Sequence, residues 1–131
     1  MKRRHVLVVE DECSALTLIE KMLVGAGYRV TGVPDGIAAL KVSLADPPDL
    51  AIIDLVISGV DGCGVCALLK RSSGFHAPIV VLSGRTTAKD VDVALGAGAD
   101  AVLPKPVDRA ALLARASQLL NTEPKTGPGS Y

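Results

Sequence analysis

The chain has almost no aromatic residues. Phe, Trp and Tyr together make up 2% of the 131 residues, and Trp is missing altogether. Proteins that bind single-stranded nucleic acid stack bases on such rings, and aromatic clamps for sugars need the same material. The sequence therefore argues against both kinds of binding site and requires a core of aliphatic side chains.

The chain also lacks an excess of charge of either sign. Its Lys and Arg residues number 14 and its Asp and Glu residues number 14, which gives a formal net charge of +0. Attraction to DNA and to anionic membrane surfaces depends largely on positive charge. We therefore expect this chain to bind neither nucleic acid directly nor a membrane.

Neither an export signal nor a transmembrane segment is found in the sequence. The apolar run after the basic N-terminus covers only residues 6–9 before acidic residues begin, which is too short for a signal peptide. No run of about 18 apolar residues without a charge occurs. The 3 cysteines are an odd number and are most simply read as reduced thiols. These features predict a cytoplasmic protein.

The sequence does contain enough apolar material for one folded domain. Hydrophobic residues make up 49% of the chain and charged residues 21%, and a length of 131 residues suits one core. After Leu120 the composition becomes polar and rich in Pro and Gly. We predict one domain over residues 1–121 and a flexible tail, or the start of a linker, over residues 122–131.

Apolar strand-like runs alternate with segments of helical spacing. Most of these runs are nearly continuous in Val, Leu and Ile, as in parallel strands that are buried on both faces. The predicted strands are 5–9, 28–33, 50–53, 79–82 and 101–103. The predicted helices are 14–26, 35–45, 62–71, 88–95 and 108–120. This alternation favours a doubly wound α/β fold with a parallel sheet.

Two of the predicted helices carry more detailed signals. Ser14 suits the N-cap of the first helix, and Gly27 suits its C-terminal stop. In the second helix, Ile37, Leu40 and Leu44 have the spacing of a side that faces a core.

Polar residues follow four of the predicted strands at the point where each strand ends. They are Glu10 and Asp11 after the first strand, Asp54 after the third, Ser83 after the fourth and Lys105 after the fifth. Because the carboxyl ends of parallel strands meet at one edge of the sheet, where α/β folds bind ligands, we expect these residues to form a single site.

The types of these residues indicate a chemistry. Two carboxylates about 4 Å apart repel each other by roughly 4 kcal/mol at an effective dielectric constant near 20. Mg²⁺ compensates such a repulsion, and Glu10, Asp11 and Asp54 supply the oxygen ligands that it prefers. Lys105 and Ser83 add a positive charge and a hydroxyl donor for the other oxygens of a phosphoryl group. The pattern predicts phosphoryl transfer onto a carboxylate.

The order of these motifs resembles that of a response-regulator receiver domain from about residue 5 to residue 120. The matching pieces are VLVVEDE at 6–12, PDGIAAL at 34–40, DLAIIDLVISGVDG at 49–62, IVVLSG at 79–84 and GADAVLPKPV at 98–107. Each piece alone is weak, but all of them in order are specific. The resemblance implies a flavodoxin-like fold with five parallel strands in the order 2-1-3-4-5, covered by five helices in three layers.

The resemblance also implies a role for each site residue. Asp54 would accept the phosphoryl group from a sensor histidine kinase or a histidine phosphotransfer protein. Asp11 and Asp54 would ligate Mg²⁺, Glu10 would hold it through water, and the carbonyl of Val56 would complete the metal shell. The chain would be a phosphoacceptor and not an enzyme, beyond self-phosphorylation and slow self-dephosphorylation.

Two further residues complete the implied site. Ser83 and Lys105 would bind the phosphoryl oxygens, and the peptide bond from Lys105 to Pro106 would be cis. The signal would then pass, by a conformational change, to a downstream protein target or to an output domain outside this chain.

The sequence departs from the family pattern at several positions. Val102 replaces the usual aromatic switch residue, which puts coupling through a flipping ring in doubt, and residues 57–58 read Ile-Ser where the family has Met-Pro. Glu10 replaces the commoner Asp. Val56 and Arg85 flank the expected path of hydrolytic water, and we expect the apolar Val56 to slow dephosphorylation because it cannot orient that water.

Three other interpretations are open at this point. A receiver-like module that is not phosphorylated would use the same fold only for docking. A phosphatase of the haloacid-dehalogenase type would need a second Asp at the position of Val56, and usually a cap domain. Cys63 and Cys66 form a CxxC motif, which on a helix is more simply read as two small residues near the core than as a redox or zinc site.

Overall fold

The main sheet has five strands in the structure, a computed structural model that describes residues 3–57, 60–84 and 86–121. The elements in chain order are β1 (His5–Val9), α1 (Cys13–Gly25), β2 (Arg29–Val33), α2 (Gly36–Ala45), β3 (Leu50–Asp54), β4 (Val56–Ile57), β5 (Val60–Asp61), α3 (Gly62–Arg71), β6 (Ile79–Ser83), α4 (Ala88–Gly96), β7 (Ala101–Pro104) and α5 (Arg109–Leu120). The predicted tail over residues 122–131 lies outside the described residues.

The strands of the main sheet run in the order β2-β1-β3-β6-β7, and every neighbouring pair is parallel. This is the order 2-1-3-4-5 that the family resemblance implies. The two-residue strands β4 and β5 form a separate antiparallel pair between β3 and α3. Strands of this length are too short for a periodic pattern, so the sequence did not predict them.

Side chains of β1, β3 and β6 alternate between two separate cores, because neighbouring residues of a strand point to opposite faces. The first core lies between the sheet and α2, α3 and α4; it includes Leu7, Val9, Ile53, Val65, Leu69 and Val81. The second core lies between the sheet and α1 and α5; it includes Val6, Val8, Ile52, Leu23, Leu82 and Leu112. The predicted three-layer α/β architecture is confirmed.

The first helix begins one residue earlier than predicted. Glu12 occupies the N-cap position, and Ser14 lies inside the helix with its hydroxyl donating to the Glu12 carboxylate over 2.6 Å. The prediction of Ser14 as the cap was therefore wrong. Gly27 follows the end of α1 with a φ of 97°, the left-handed conformation that stops a helix and favours glycine.

The predicted core side of α2 was wrong as well. Ile37 and Leu44 are 68% and 64% exposed, and Leu40 is only partly buried. The buried residues of α2 are instead the small ones, Gly36, Ala39 and Ser43. Nearly every residue of α2 is apolar, so the sequence pattern marks no single face. The small residues face inward because α2 approaches its neighbours closely; a Cβ on Gly36 would lie 3.0 Å from Val65 Cγ2.

Within the described ranges, no helix combines the length and the apolar character that crossing a bilayer requires.

Candidate functional site

The residues expected at the site lie together where the strands end, at what we call the carboxyl edge of the sheet. Asp54 is the last residue of β3 and Ser83 the last of β6, while Glu10 and Lys105 directly follow β1 and β7. Main-chain hydrogen bonds hold these ends in register. Glu10 N–H donates to Val33 O over 2.9 Å, and Lys105 N–H donates to Ser83 O over 2.9 Å. The parallel sheet thus brings these residues to one place.

An ion pair between Lys105 and Asp54 lies at the centre of this edge. Lys105 Nζ is 2.6 Å from the Asp54 carboxylate. The Asp54 side chain is only 4% exposed, whereas the Lys105 side chain is 35% exposed and reaches the carboxylate from outside. A buried carboxylate needs such a partner, because removing a charge from water is costly.

Glu10 is buried beside this ion pair, and the surroundings of its carboxyl group disfavour the ionised form. Burial and, after it, a hydrogen bond with Asp54 together raise the pKa of Glu10 to about 7, against the opposing effects of the Glu12 N–H and the Lys105 charge. That N–H donates to Glu10 Oε1 over 3.1 Å. The two carboxyl groups and one ammonium group therefore favour uptake of a proton or another cation.

Asp11 differs from Glu10 in its position. It is exposed in the bend that follows β1, whereas Glu10 is buried. Neighbouring residues that leave a strand point in opposite directions, which accounts for the difference. Among the residues that the structure describes, no three His, Cys, Asp or Glu side chains form a group that could hold a metal ion. The structure thus places Glu10 beside Asp54, and metal ligation by Glu10, Asp11 and Asp54 stays a prediction.

The other predicted residues have these outcomes. Ser83 is buried at the end of β6, and the peptide bond between Lys105 and Pro106 is cis, as expected. The backbone of Val56 belongs to β4, but its side chain lies outside the description, as do Ser58 and Arg85.

A cavity of about 230 Å³ opens directly above the ion pair. Its polar lining residues are Glu10, Glu12, Asp54 and Lys105. Its walls are apolar and come from α1 and from the segment after β7; they include Ala15, Leu18, Pro106 and Val107. Apolar side chains therefore flank the cavity that reaches the buried Asp54 carboxylate.

Sequence reasoning missed the role of Gly62, the first residue of α3. Its N–H donates to Leu55 O over 2.7 Å, and a Cβ on Gly62 would lie 2.6 Å from Leu55 Cα and still closer to the carbonyl oxygen of Asp54. Only glycine fits so near the backbone of the turn after Asp54. The sequence signal was the Gly at the end of the DLAIIDLVISGVDG piece, but its reason is visible only in three dimensions.

Comparison with known proteins gives a consistent result. Residues 6–117 match the family model described as the response regulator receiver domain. The transcriptional regulatory protein CseB of Streptomyces coelicolor is 37% identical over 125 residues, which cover 95% of this chain and 53% of that protein. The DNA-binding response regulator MtrA of Mycobacterium leprae is 36% identical over 113 residues, covering 86% of this chain and 49% of that protein. This chain spans about half the length of these relatives.

A solved structure of similar fold supports the same grouping. The receiver domain of sensor histidine kinase PA1611 from Pseudomonas aeruginosa has a TM-score of 0.82 and 31% sequence identity with this chain. The match covers 91% of this chain and 98% of that one, and that structure has a magnesium ion coordinated in its active-site cleft.

Proposed function

This chain belongs to the response regulator receiver domain family of two-component signal transduction, and we propose that Asp54 is the residue on which it accepts a phosphoryl group. The observation that carries the proposal is the position of Asp54. Its carboxylate is buried at the end of β3, lies under a cavity and is 2.6 Å from the Lys105 ammonium group. Asp46 and Asp100 also pair with a cation, but both are exposed, whereas Asp54 is buried at the carboxyl edge of the sheet.

The transfer follows from these positions. An oxygen of the Asp54 carboxylate attacks the phosphorus atom of a phosphohistidine on the partner. A P–O bond forms, the P–N bond breaks, and the imidazole leaves. Lys105 then balances the charge of the new phosphoryl group, and the buried hydroxyl of Ser83 donates to one of its oxygens.

We also propose that a Mg²⁺ ion binds beside Asp54, because of the oxygen donors that the residues there supply. Glu10 and Asp54 bring two carboxyl groups together at this point, and carboxylate oxygen is the ligand that Mg²⁺ prefers. We assign the ion to Asp11, Asp54 and the carbonyl of Val56, with Glu10 holding it through water. When bound, Mg²⁺ would neutralise charge that develops on the phosphoryl oxygens.

The signal would leave the site through the ends of β6 and β7. Ser83 and Lys105 are joined by a main-chain hydrogen bond, so a shift of either residue toward a phosphoryl group displaces the segments before α4 and α5. Val102 in β7 is partly buried and packs against the first core. Because it has no ring to flip, the change at this position is smaller than the aromatic switch of the family.

The proposed partners follow from the same geometry. The phosphoryl donor is a sensor histidine kinase or a histidine phosphotransfer protein, and the apolar walls formed by Leu18 and Val107 would pack against the helix that carries its histidine. The signal then passes to a protein target or to an output domain. The relative CseB is named a transcriptional regulatory protein. We expect this chain itself to bind no nucleic acid, to have no activity beyond self-phosphorylation and slow self-dephosphorylation, and to act in the cytoplasm.

The test is incorporation of a phosphoryl group from acetyl phosphate in the presence of Mg²⁺, followed by intact-protein mass spectrometry. We expect one added phosphoryl group on the wild type and none on Asp54→Asn. Asp92→Asn, a matched change at an exposed Asp of α4, should incorporate as the wild type does. Incorporation into Asp54→Asn, or none into the wild type, would refute the proposal; the second result would favour a docking module that is not phosphorylated.

A further inference from the structure

The CxxC motif occupies the first two turns of α3, and its two thiols differ in exposure. Cys66 is fully buried, whereas Cys63 is only partly buried. Both side chains pack in the first core, so they lie on the same side of the helix. Gly64, between them, is exposed and has no side chain to cover Cys63.

We propose that Cys63 and Cys66 form a reversible intramolecular disulfide, with Cys63 as the thiol that reacts first. Residues three apart on a helix have Cβ atoms about 5 to 6 Å apart, and a disulfide needs about 3.5 to 4.5 Å. The first turn of α3 therefore has to move for the bond to close. Proteins that cycle between thiol and disulfide place CxxC motifs in a similar position, at the start of a helix.

The oxidant is a small-molecule disulfide of the glutathione type. The Cys63 thiolate attacks one sulfur of that disulfide, which forms a mixed disulfide and releases one thiolate. The Cys66 thiolate then attacks the Cys63 sulfur, which closes the intramolecular bond and releases the second thiolate. The protein loses two hydrogen atoms in total, and the oxidant becomes two thiols. A transient disulfide of this kind is compatible with a reducing compartment.

The position of the motif couples the disulfide to Asp54. Gly62 directly precedes Cys63, donates its N–H to Leu55 O and lies against the carbonyl of Asp54. This contact leaves no free space, so a shift of the first turn of α3 moves the backbone on which Asp54 is held. We therefore expect oxidation to slow phosphorylation; this effect rests on the proposed function, whereas the disulfide itself does not.

A zinc site is the other common use of a CxxC motif. Such a site needs further Cys or His ligands. In the part of the chain that the structure describes, no group of three His, Cys, Asp or Glu side chains could hold a metal ion. The observations therefore favour the disulfide.

The experiment uses the full chain with Cys13→Ser, which removes the exposed third thiol. The protein is incubated with oxidised glutathione and analysed by intact mass and by peptide mapping after alkylation. We expect loss of two hydrogen atoms, a Cys63–Cys66 linkage and recovery of both thiols with dithiothreitol. The Cys63→Ser variant should form no disulfide. The Cys66→Ala variant should stop at the mixed disulfide on Cys63.

Amide NMR gives a second measurement, of the coupling between the disulfide and the backbone that holds Asp54. Oxidation should shift the Leu55 and Gly62 signals, and dithiothreitol should restore them, whereas Cys63→Ser should show no shift. The rate of incorporation from acetyl phosphate should fall by about tenfold on oxidation, as expected for displaced reacting groups. Failure of the folded protein to form the Cys63–Cys66 linkage, or a stable mixed disulfide at Cys63 with Cys66 present, would overturn the proposal. A linkage that forms without incorporation into the reduced protein would count against the proposed function alone.

Discussion

The backbone N–H of Lys105 donates to the carbonyl of Ser83 over 2.9 Å, so the two residues assigned to the phosphoryl oxygens are joined main chain to main chain. Their positions relative to Asp54 are thus set by the pairing of β6 with β7 and of β3 with β6. A substitution that changes only a side chain at this edge should leave the backbone frame in place.

Replacement of Lys105 by Met should therefore slow phosphorylation and leave the protein folded. It removes the ammonium group 2.6 Å from Asp54, and we expect incorporation from acetyl phosphate to slow by about 100-fold. Lys105→Arg keeps a positive charge and should lose less. Circular dichroism should show that both variants are folded. Equal rates for Lys105→Met and wild type would contradict the assigned role of the ammonium group.

Gly62→Ala should destabilise the protein, because its Cβ would overlap the backbone at Leu55 and Asp54. We expect a loss of roughly 1 to 3 kcal/mol in the free energy of unfolding, the usual cost of overpacking. Urea denaturation followed by circular dichroism measures it. Gly74→Ala is the matched control, since a Cβ there has no atom within 4 Å. A loss at Gly62 no larger than at Gly74 would show that the close approach does not constrain the fold.

The metal-free protein should become less stable as the pH rises through the neutral range. Glu10 has its pKa raised to about 7 from the ordinary 4.5, so between these values the folded state holds a proton that the unfolded chain has released. The stabilising contribution is complete below the ordinary pKa and is lost as the pH rises through the folded-state value. At about 1.4 kcal/mol per pKa unit, the shift from 4.5 to about 7 sets an upper limit of about 3.5 kcal/mol, which solvent screening lowers.

The measurement is urea unfolding in the presence of EDTA across this pH range. Glu10→Gln should flatten the dependence, while Glu20→Gln on α1 should preserve it. An identical slope in wild type and Glu10→Gln would mean that another group is responsible.

Substitutions in α2 distinguish the face predicted from sequence from the face found in the structure. Ile37→Gln should change the free energy of unfolding by less than about 0.5 kcal/mol, since Ile37 is 68% exposed. Ala39→Leu, at a fully buried position, should cost about 1 to 3 kcal/mol. Thermal and urea unfolding of the two variants test this. A larger loss of stability for Ile37→Gln than for Ala39→Leu would mean that the side of α2 predicted from the apolar spacing is the buried one.

Much of the candidate site could be predicted because its pattern is local. Each strand reads as a short apolar run, and each of Asp54, Ser83 and Lys105 stands at or just after the end of one. The parallel arrangement follows from the alternation of strands and helices, and it alone brings these three residues to one edge. The family resemblance added the strand order and the roles of individual residues.

Other features of the site had no local signal. Glu10 and Asp11 are adjacent acidic residues, yet one is buried against Asp54 and the other is exposed. The identity of the residues does not state which way each side chain points. The same holds for Gly62, whose lack of a side chain matters only because the backbone of Asp54 and Leu55 passes beside it.

By itself, then, the sequence determined the order of the elements, the class of the sheet and the types of residue at its carboxyl edge, because these depend on spacing along the chain. Only the tertiary structure decided which face of α2 is buried, which acidic residue after β1 is buried beside the ion pair and why α3 must begin with glycine. Those features depend on contacts between segments that are distant in the sequence, and close packing admits only side chains that fit the space left by their neighbours.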